Sequence, residues 1–374
     1  MNRKIHLIYF NAGGGHRSAA LALQEVIAQT HPEWNVSLIN LFEVIDSERY
    51  YQKLTGFAPE DLYNLRLKKG WTRGLATELK IFQAIIRLTH TKLKLKIQKF
   101  WKANPPDLVV SLIPNFNKVM FESLRDQCPN VPYVTVLTDL ADYPPNFWIE
   151  ANQEQYLICG SDQAVFQARE AGYRDSQITQ TSGMILRPAF YSSPKIDRQL
   201  RRQELGLDPA QATGLVMFGG HGSSQMLKIA KDLSNRQMIF VCGHNEMLVK
   251  KIQALKPLAK HLVFGFTSEI NSLMQLSDYF IGKPGPGSLS ESIQMGLPVI
   301  TFKSATTMPQ ERFNTTWVSR HEYGLVVTKM RDLPDAVDQL ITHLPSFKAK
   351  VSSVNNLAVY EVVKALDTMR SAPA

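Results

Sequence analysis

The sequence predicts an α/β protein of two Rossmann-like domains facing each other across a cleft. Three observations lead there. Short apolar runs alternate with helical stretches along the chain. A strand that ends in a glycine loop and continues as a helix opens the amino terminus. The same strand, glycine loop and helix return after residue 211. Strands alternating with helices build parallel sheets covered on both faces, and such sheets bind ligands beyond the carboxyl ends of their strands.

In the first half, Ile5–Phe10 reads as the opening strand, followed by a glycine loop and a helix from about His16 to Gln29. Val36–Leu41, Asp107–Leu112, Tyr133–Thr138 and Tyr156–Cys159 are further strands, with helices over 118–127 and 161–172. A proline- and charge-rich stretch, Arg187–Gln211, connects the halves. Strands at Leu215–Phe218, Met238–Cys242, His261–Phe264, Tyr279–Ile281, Pro298–Phe302 and Gly324–Thr328 follow, and a closing helix covers about 350–370. This gives domains over 1–187 and 188–349, with 350–374 crossing back to the first.

At 374 residues, each half is long enough to bury its own core. The mix of 44% apolar and 20% charged residues is that of a globular chain. No apolar run approaches the roughly 20 residues that span a bilayer, and the amino terminus lacks the long apolar core of a signal peptide. Three scattered cysteines, Cys128, Cys159 and Cys242, form no metal-ligand pattern and suit a reducing compartment. The expectation is a cytoplasmic protein, peripheral on the inner face of a membrane.

The charge is concentrated. Residues 66–102 carry 11 Lys or Arg against one acid, Glu78, a net +10 in a chain whose total is +9. Phe82, Ile85, Ile86, Leu93, Ile97, Phe100 and Trp101 fall on one helical face, with lysines around them. A basic amphipathic helix binds anionic lipid surfaces, so Trp71, Arg73, Lys92, Lys94, Lys96 and Lys99 are candidate membrane contacts. The plainer reading is a core-packed helix with a solvated lysine face. The run Lys92–Ile97 also fits strand alternation. Stacking aromatics along a groove are not evident, so nucleic acid is not the expected partner.

Five motifs carry the chemistry. Asn11-Ala12-Gly13-Gly14-Gly15-His16-Arg17-Ser18 lies between strand and helix, where glycines let a ligand approach and free N–H groups attract anions. It is neither a dinucleotide fingerprint nor a P-loop. His16 there can take a proton near neutral pH. Thr138-Asp139-Leu140 ends a strand, where a carboxylate serves as general base or as a turn former. Phe218-Gly219-Gly220-His221-Gly222-Ser223-Ser224 repeats the glycine-loop logic and can hold a diphosphate. Lys283-Pro284-Gly285-Pro286-Gly287-Ser288-Leu289-Ser290-Glu291 again opens a helix onto phosphates, with Glu291 placed to accept both hydroxyls of a ribose or to cap Ser288. Gln310, Glu311 and Asn314 then offer amide and acid groups suited to sugar hydroxyls.

On these residues the chain resembles glycosyltransferase family 28, and within it the monogalactosyldiacylglycerol synthases and diacylglycerol glucosyltransferases. Gly13-Gly14-Gly15-His16-Arg17, Thr138-Asp139-Leu140, Gly285-Pro286-Gly287-Ser288 with Glu291, and Gln310-Glu311 with Asn314 match its motifs in order. The chain departs at Pro144-Pro145, where plant-type enzymes carry His-Pro, and at His221, where the family often has Gly or an acid.

The resemblance implies a GT-B fold, with an acceptor domain first and a nucleotide-sugar domain second. It implies inverting transfer of a hexose from UDP-galactose or UDP-glucose to a lipid hydroxyl such as that of diacylglycerol, with no metal or other cofactor. Asp139 is then the general base, with His16 as alternative or as its hydrogen-bonded partner, and Gly14 and Gly15 belong to the acceptor loop. Gly219, Gly220, Ser223, Gly285, Gly287 and Ser288 meet the diphosphate. Phe266 and Thr267 meet the uracil, Glu291 the ribose, and Gln310, Glu311 and Asn314 the sugar. A transferase using UDP-N-acetylglucosamine and another lipid, a nucleotide-sugar epimerase, and an inactive peripheral membrane protein share this plan.

Overall fold

In the computed structural model, the described residues are 2–11, 14–46, 75–192, 196–304 and 307–369. Two six-stranded, wholly parallel sheets form. The first comprises β1 (Lys4–Tyr9), β2 (Asn35–Asn40), β3 (Leu108–Ser111), β4 (Tyr133–Val136), β5 (Tyr156–Cys159) and β6 (Ile178–Gln180), in the order β2-β1-β3-β4-β5-β6. The second comprises β7 (Thr213–Met217), β8 (Gln237–Val241), β9 (His261–Phe264), β10 (Tyr279–Gly282), β11 (Val299–Phe302) and β12 (Gly324–Val327), in the order β12-β11-β10-β7-β8-β9. Every residue of β3, β4, β7, β8 and β10 is buried, as strands covered on both faces require.

Each sheet reverses its winding once, between β1 and β3 and between β7 and β10. Open parallel sheets bind ligands at such reversals, because the loops leaving the two strands diverge to opposite faces. The glycine loops before residues 15 and 225 and the turn at Lys283–Gly285 leave three of these four strands, β1, β7 and β10.

The chain crosses between the sheets twice. Leu186 and Phe190 enter the second core, while Ile185 packs on the first. On the return, the helix Leu344–Ser352 places Val351 in the second core, and the helix Ala358–Thr368 places Val359, Val362, Val363 and Leu366 in the first. The two crossings are tied together. Asn356 Nδ2 donates to the Met184 carbonyl at 2.9 Å, and Glu361 accepts from the Ser182 amide and hydroxyl at 2.6 and 2.8 Å. Asp278 anchors the first crossing to the second sheet. Burial would raise its carboxyl, but Arg198, the Thr213 amide, Arg202 and Lys348 hold it well below the usual carboxylate range.

Two expectations are corrected, and one strand was not foreseen. The closing helix of 350–370 is two helices, separated where Asn356 turns its side chain back to Met184 and to the Ala358 amide. The short strand β6, half-exposed and three residues long, carries too little apolar pattern to be read from sequence. The basic segment is neither one helix nor a strand within the described residues, but two helices, Leu75–Leu88 and His90–Ala103, meeting at Thr89. Their shared face is core: Ile86, Ile97 and Trp101 are buried, Phe82, Leu93 and Phe100 pack beside them, and Trp101 Nε1 donates to Ser123 at 3.0 Å. Of the seven residues assigned to that face only Ile85 is exposed.

Candidate active site

A cavity of about 750 Å³ lies between the carboxyl ends of the two sheets and is lined from both. Two helices open onto it without a side-chain cap. The helix Gly15–Thr30 starts after Gly14, whose φ of 84° is left-handed backbone that favours glycine. The helix Pro286–Gln294 starts after Gly285. Their free first-turn N–H groups and the positive ends of their dipoles favour oxygen-rich or anionic ligands. Ser288 is therefore not the cap of its helix, and Glu291 does not complete a capping box.

On the first wall, His16 Nδ1 sits 3.1 Å from Thr138 Oγ1, and the imidazole lies 5.8 Å from the Trp148 ring. Desolvation lowers its pKa to about 4, against a weaker raising effect from the Leu112 backbone, so the ring is neutral at physiological pH. Asp139 is 7% exposed and accepts from Trp148 Nε1 at 2.9 Å. Burial pushes its pKa up to about 7; the Trp148 bond opposes this, Glu311 raises it further and Lys283 lowers it. His16 and Asp139 thus share Trp148 as a neighbour, but the side chain that His16 bonds is Thr138. The reading of His16 as hydrogen-bonded partner of Asp139 is corrected accordingly.

Trp148 is itself held by Asp142, whose carboxylate accepts from the Asn146, Phe147 and Trp148 amides at 3.0, 2.9 and 2.6 Å. Phe10, Phe42, Leu79, Phe82, Pro114 and Phe147 make this end of the cavity apolar.

On the second wall, Gly219 (φ 76°) and Gly220 line the cavity, as do Phe266, Thr267, Gly285, Gly287, Ser288, Glu291, Gln310 and Glu311. Phe266 is 67% exposed and stacks on His244 with centroids 4.2 Å apart. Burial raises the Glu291 carboxyl, with Arg187 opposing.

Two candidates stand elsewhere. Ser223 is not among the lining residues; the loop bends at Gly222 (φ 61°), and the Ser223 hydroxyl accepts from the Gln225 amide at 3.3 Å. Asn314 is fully buried and donates to the Pro284 carbonyl at 2.7 Å, so it braces the Lys283–Gly285 turn from behind.

The membrane candidates divide. Lys92 and Lys99 are exposed, Lys94 pairs with Asp126 at 2.8 Å, and Lys96 donates to the Ile45 carbonyl at 2.6 Å. Trp71 and Arg73 lie outside the described residues.

The structure adds residues with no role assigned from the sequence alone: Trp148, which holds the carboxylate, and the cations Arg187 and Lys283 in the cavity wall. Lys283 opens the motif Lys-Pro-Gly-Pro-Gly, so its position was a signal, although nothing in the string says where its ammonium points.

Two parallel sheets, a cavity across both reversals and two open helix ends define a GT-B fold. Comparison with known proteins makes this specific. Residues 16–184 match the family profile of monogalactosyldiacylglycerol (MGDG) synthase, and residues 215–366 match the glycosyltransferase family 28 C-terminal domain. The chain belongs to glycosyltransferase family 28.

It is 25% identical to the chloroplastic monogalactosyldiacylglycerol synthase of Spinacia oleracea over 98% of this chain and 72% of that one. It is 24% identical to the processive diacylglycerol beta-glucosyltransferase of Bacillus subtilis over 91% and 87%. Among solved structures, Anabaena Alr3699/HepE in complex with UDP-glucose matches its fold with a TM-score of 0.56 at 15% identity, over 98% of this chain and 100% of that one.

Proposed function

We propose that the protein transfers a hexose from a UDP-sugar, UDP-galactose or UDP-glucose, to a lipid hydroxyl, that of diacylglycerol, with inversion at the anomeric carbon. One observation carries this reading. A buried carboxylate whose pKa lies near 7 and a glycine-opened, uncapped helix stand on opposite walls of the same cavity. The relatives, a galactolipid synthase and a diacylglycerol glucosyltransferase, support the acceptor class and leave the two hexoses open. The UDP-glucose held by HepE supports the donor class.

In this reading the diphosphate lies against Gly219, Gly220 and the Gly285–Ser288 helix start. Glu291 takes the ribose, Gln310 and Glu311 the sugar, and the Phe266–Thr267 loop the uracil. The acceptor oxygen forms a bond to the anomeric carbon as the bond from that carbon to the β-phosphate oxygen breaks. The electron pair leaves with UDP, and Asp139 takes the acceptor's proton, a role for which a pKa near the working pH is best suited. His16, neutral, orients the acceptor from beside Thr138.

The lipid enters over the first domain. The helix Leu75–Leu88 has two faces: Leu79 and Phe82 line the cavity, while Ile81, Ile85 and Leu88 are exposed at 55, 50 and 87%. Exposed Lys80, Arg87, Lys92 and Lys99 lie along this helix and the next, so the surface suits the anionic inner face of a membrane. No helix among the described residues is long and apolar enough to cross one.

The test is direct. The protein is incubated with UDP-galactose, UDP-glucose or UDP-N-acetylglucosamine and vesicles containing diacylglycerol, and the lipid product is identified by mass spectrometry and its anomeric configuration by NMR. A hexosyl-diacylglycerol of inverted configuration is expected. An altered sugar nucleotide remaining in the aqueous phase, or no UDP binding at all, would refute the reading.

A further inference from the structure

The donor site as drawn uses glycines, amides and carboxylates, yet a diphosphate leaves as a polyanion. Only two of the described residues lining the cavity are Lys or Arg, Arg187 and Lys283. Lys283 follows the carboxyl end of β10, one of the two strands at the winding reversal. Its side chain runs between the two glycine loops. A Cβ added at Gly219 would lie 3.6 Å from its Cε, and one added at Gly285 would lie 3.4 Å away. Glu311 holds the ammonium at 2.6 Å; the Lys283 side chain is 37% exposed and that of Glu311 only 9%. The pair also acts across the cleft: Glu311 raises and Lys283 lowers the pKa of Asp139 on the opposite wall.

We infer that Lys283 is a catalytic residue that stabilises the departing diphosphate, bridging Glu311 and a phosphate oxygen once the donor is bound. This rests on the proposed UDP-sugar donor. An ammonium has three N–H donors, so it keeps Glu311 while giving another to the phosphate. As the bond between anomeric carbon and β-phosphate oxygen breaks and the electron pair moves to that oxygen, a fixed cation in a partly desolvated site gains most in the transition state. Glu311 is then a positioning residue for Lys283 in addition to its place beside the sugar. Asn314, donating to the Pro284 carbonyl, keeps the turn that carries Lys283 in register.

The experiment uses the full chain with UDP-hexose and diacylglycerol vesicles. Lys283→Met is expected to lower kcat by about 10²–10³, the cost of removing one such electrostatic donor, with a smaller rise in donor KM. Lys283→Arg, which keeps the charge, should recover at least tenfold of that loss. The acid limb of kcat/KM should move to higher pH in Lys283→Met, because a cation that favours ionised Asp139 is gone, and to lower pH in Glu311→Gln.

A wild-type enzyme that binds no UDP would sink the donor reading itself. A wild type that binds UDP and turns over, beside a Lys283→Met variant within threefold in kcat and with an unmoved acid limb, would sink this inference alone. If Lys283→Met does not fold, Lys283→Arg and Glu311→Gln decide: a loss of more than about a hundredfold in Lys283→Arg, or no limb shift in Glu311→Gln, overturns it.

Discussion

The two walls of the cavity are built from different materials. The first presents side chains on dry, aromatic ground: His16, Thr138 and Asp139, with Phe10, Phe147 and Trp148 around them. The second presents backbone, Gly219, Gly220 and Gly285–Ser288, with one ammonium between. Water exclusion explains why the first wall can move a proton. The same desolvation pushes the acid up to about 7 and the imidazole down to about 4, each toward its neutral form. Backbone N–H groups cannot be titrated, so the second wall holds charge without responding to pH. On the proposed mechanism the difference separates proton transfer from leaving-group support, and substitutions on each wall should fail in different ways.

The largest effect belongs to Asp139. Asp139→Asn should lower kcat by about 10²–10⁴, the range for a lost general base, while UDP affinity by calorimetry stays within a few fold. Wild-type kcat/KM should fall as pH drops below about 7. Stability should move the opposite way. A carboxyl whose folded pKa is raised from 3.8 to about 7 contributes stability that is complete below 3.8 and lost as pH rises through 7. At pH 8 the wild type therefore bears a cost that Asn does not. Asp139→Asn should melt on the order of a few degrees higher at pH 8, with the gap narrowing by pH 5. Equal melting temperatures at pH 8 would break the account of a dry first wall.

His16→Ala should cost less, roughly 10- to 100-fold in kcat, the scale of a misplaced reactant, again with UDP binding intact. Glu291→Gln sharpens the contrast from the other side. Two hydrogen bonds from a ribose to a charged carboxylate weaken to bonds with an amide, so donor KM should rise roughly tenfold to a hundredfold while kcat changes little. If Glu291→Gln lowered kcat and left KM alone, the carboxylate would belong to the chemistry and not to the ribose.

Much of this was legible in the string. Strands such as Leu215–Phe218 and Met238–Cys242 are continuous apolar runs because both sheet faces are covered, and the glycine loops fall where parallel sheets place ligands. The failures have physical causes. Ile86 and Leu93 are seven residues apart, a spacing that one helix satisfies as well as two helices bending at Thr89. Asn314 reads like Gln310 and Glu311, but a 3-10 turn at Pro309–Glu311 precedes its helix and it points behind the Lys283–Gly285 turn. Lys283 had no assigned role because only a folded chain shows its stem lying between two glycines.

The smallest predicted effect lies outside both walls. The seven-residue apolar face read from 82–101 is mostly core, so charging Ile97 or Trp101 would test folding and not membrane contact. The informative positions are on the outer side of the same helices, where Ile85 and Leu88 stand exposed, one turn apart. Burying such a side chain is worth about 1.5–3 kcal/mol, and a carboxylate there also opposes the neighbouring cations. Leu88→Asp should weaken binding to anionic vesicles by roughly tenfold or more, with Ile85→Asp similar, and should leave the melting temperature and UDP affinity unchanged because neither residue is in the core. Turnover should fall with vesicle-borne diacylglycerol and remain near wild type with a short-chain acceptor dispersed in detergent. A Leu88→Asp protein that floats with vesicles as the wild type does would detach the membrane from this face and leave the chemistry of the two walls standing.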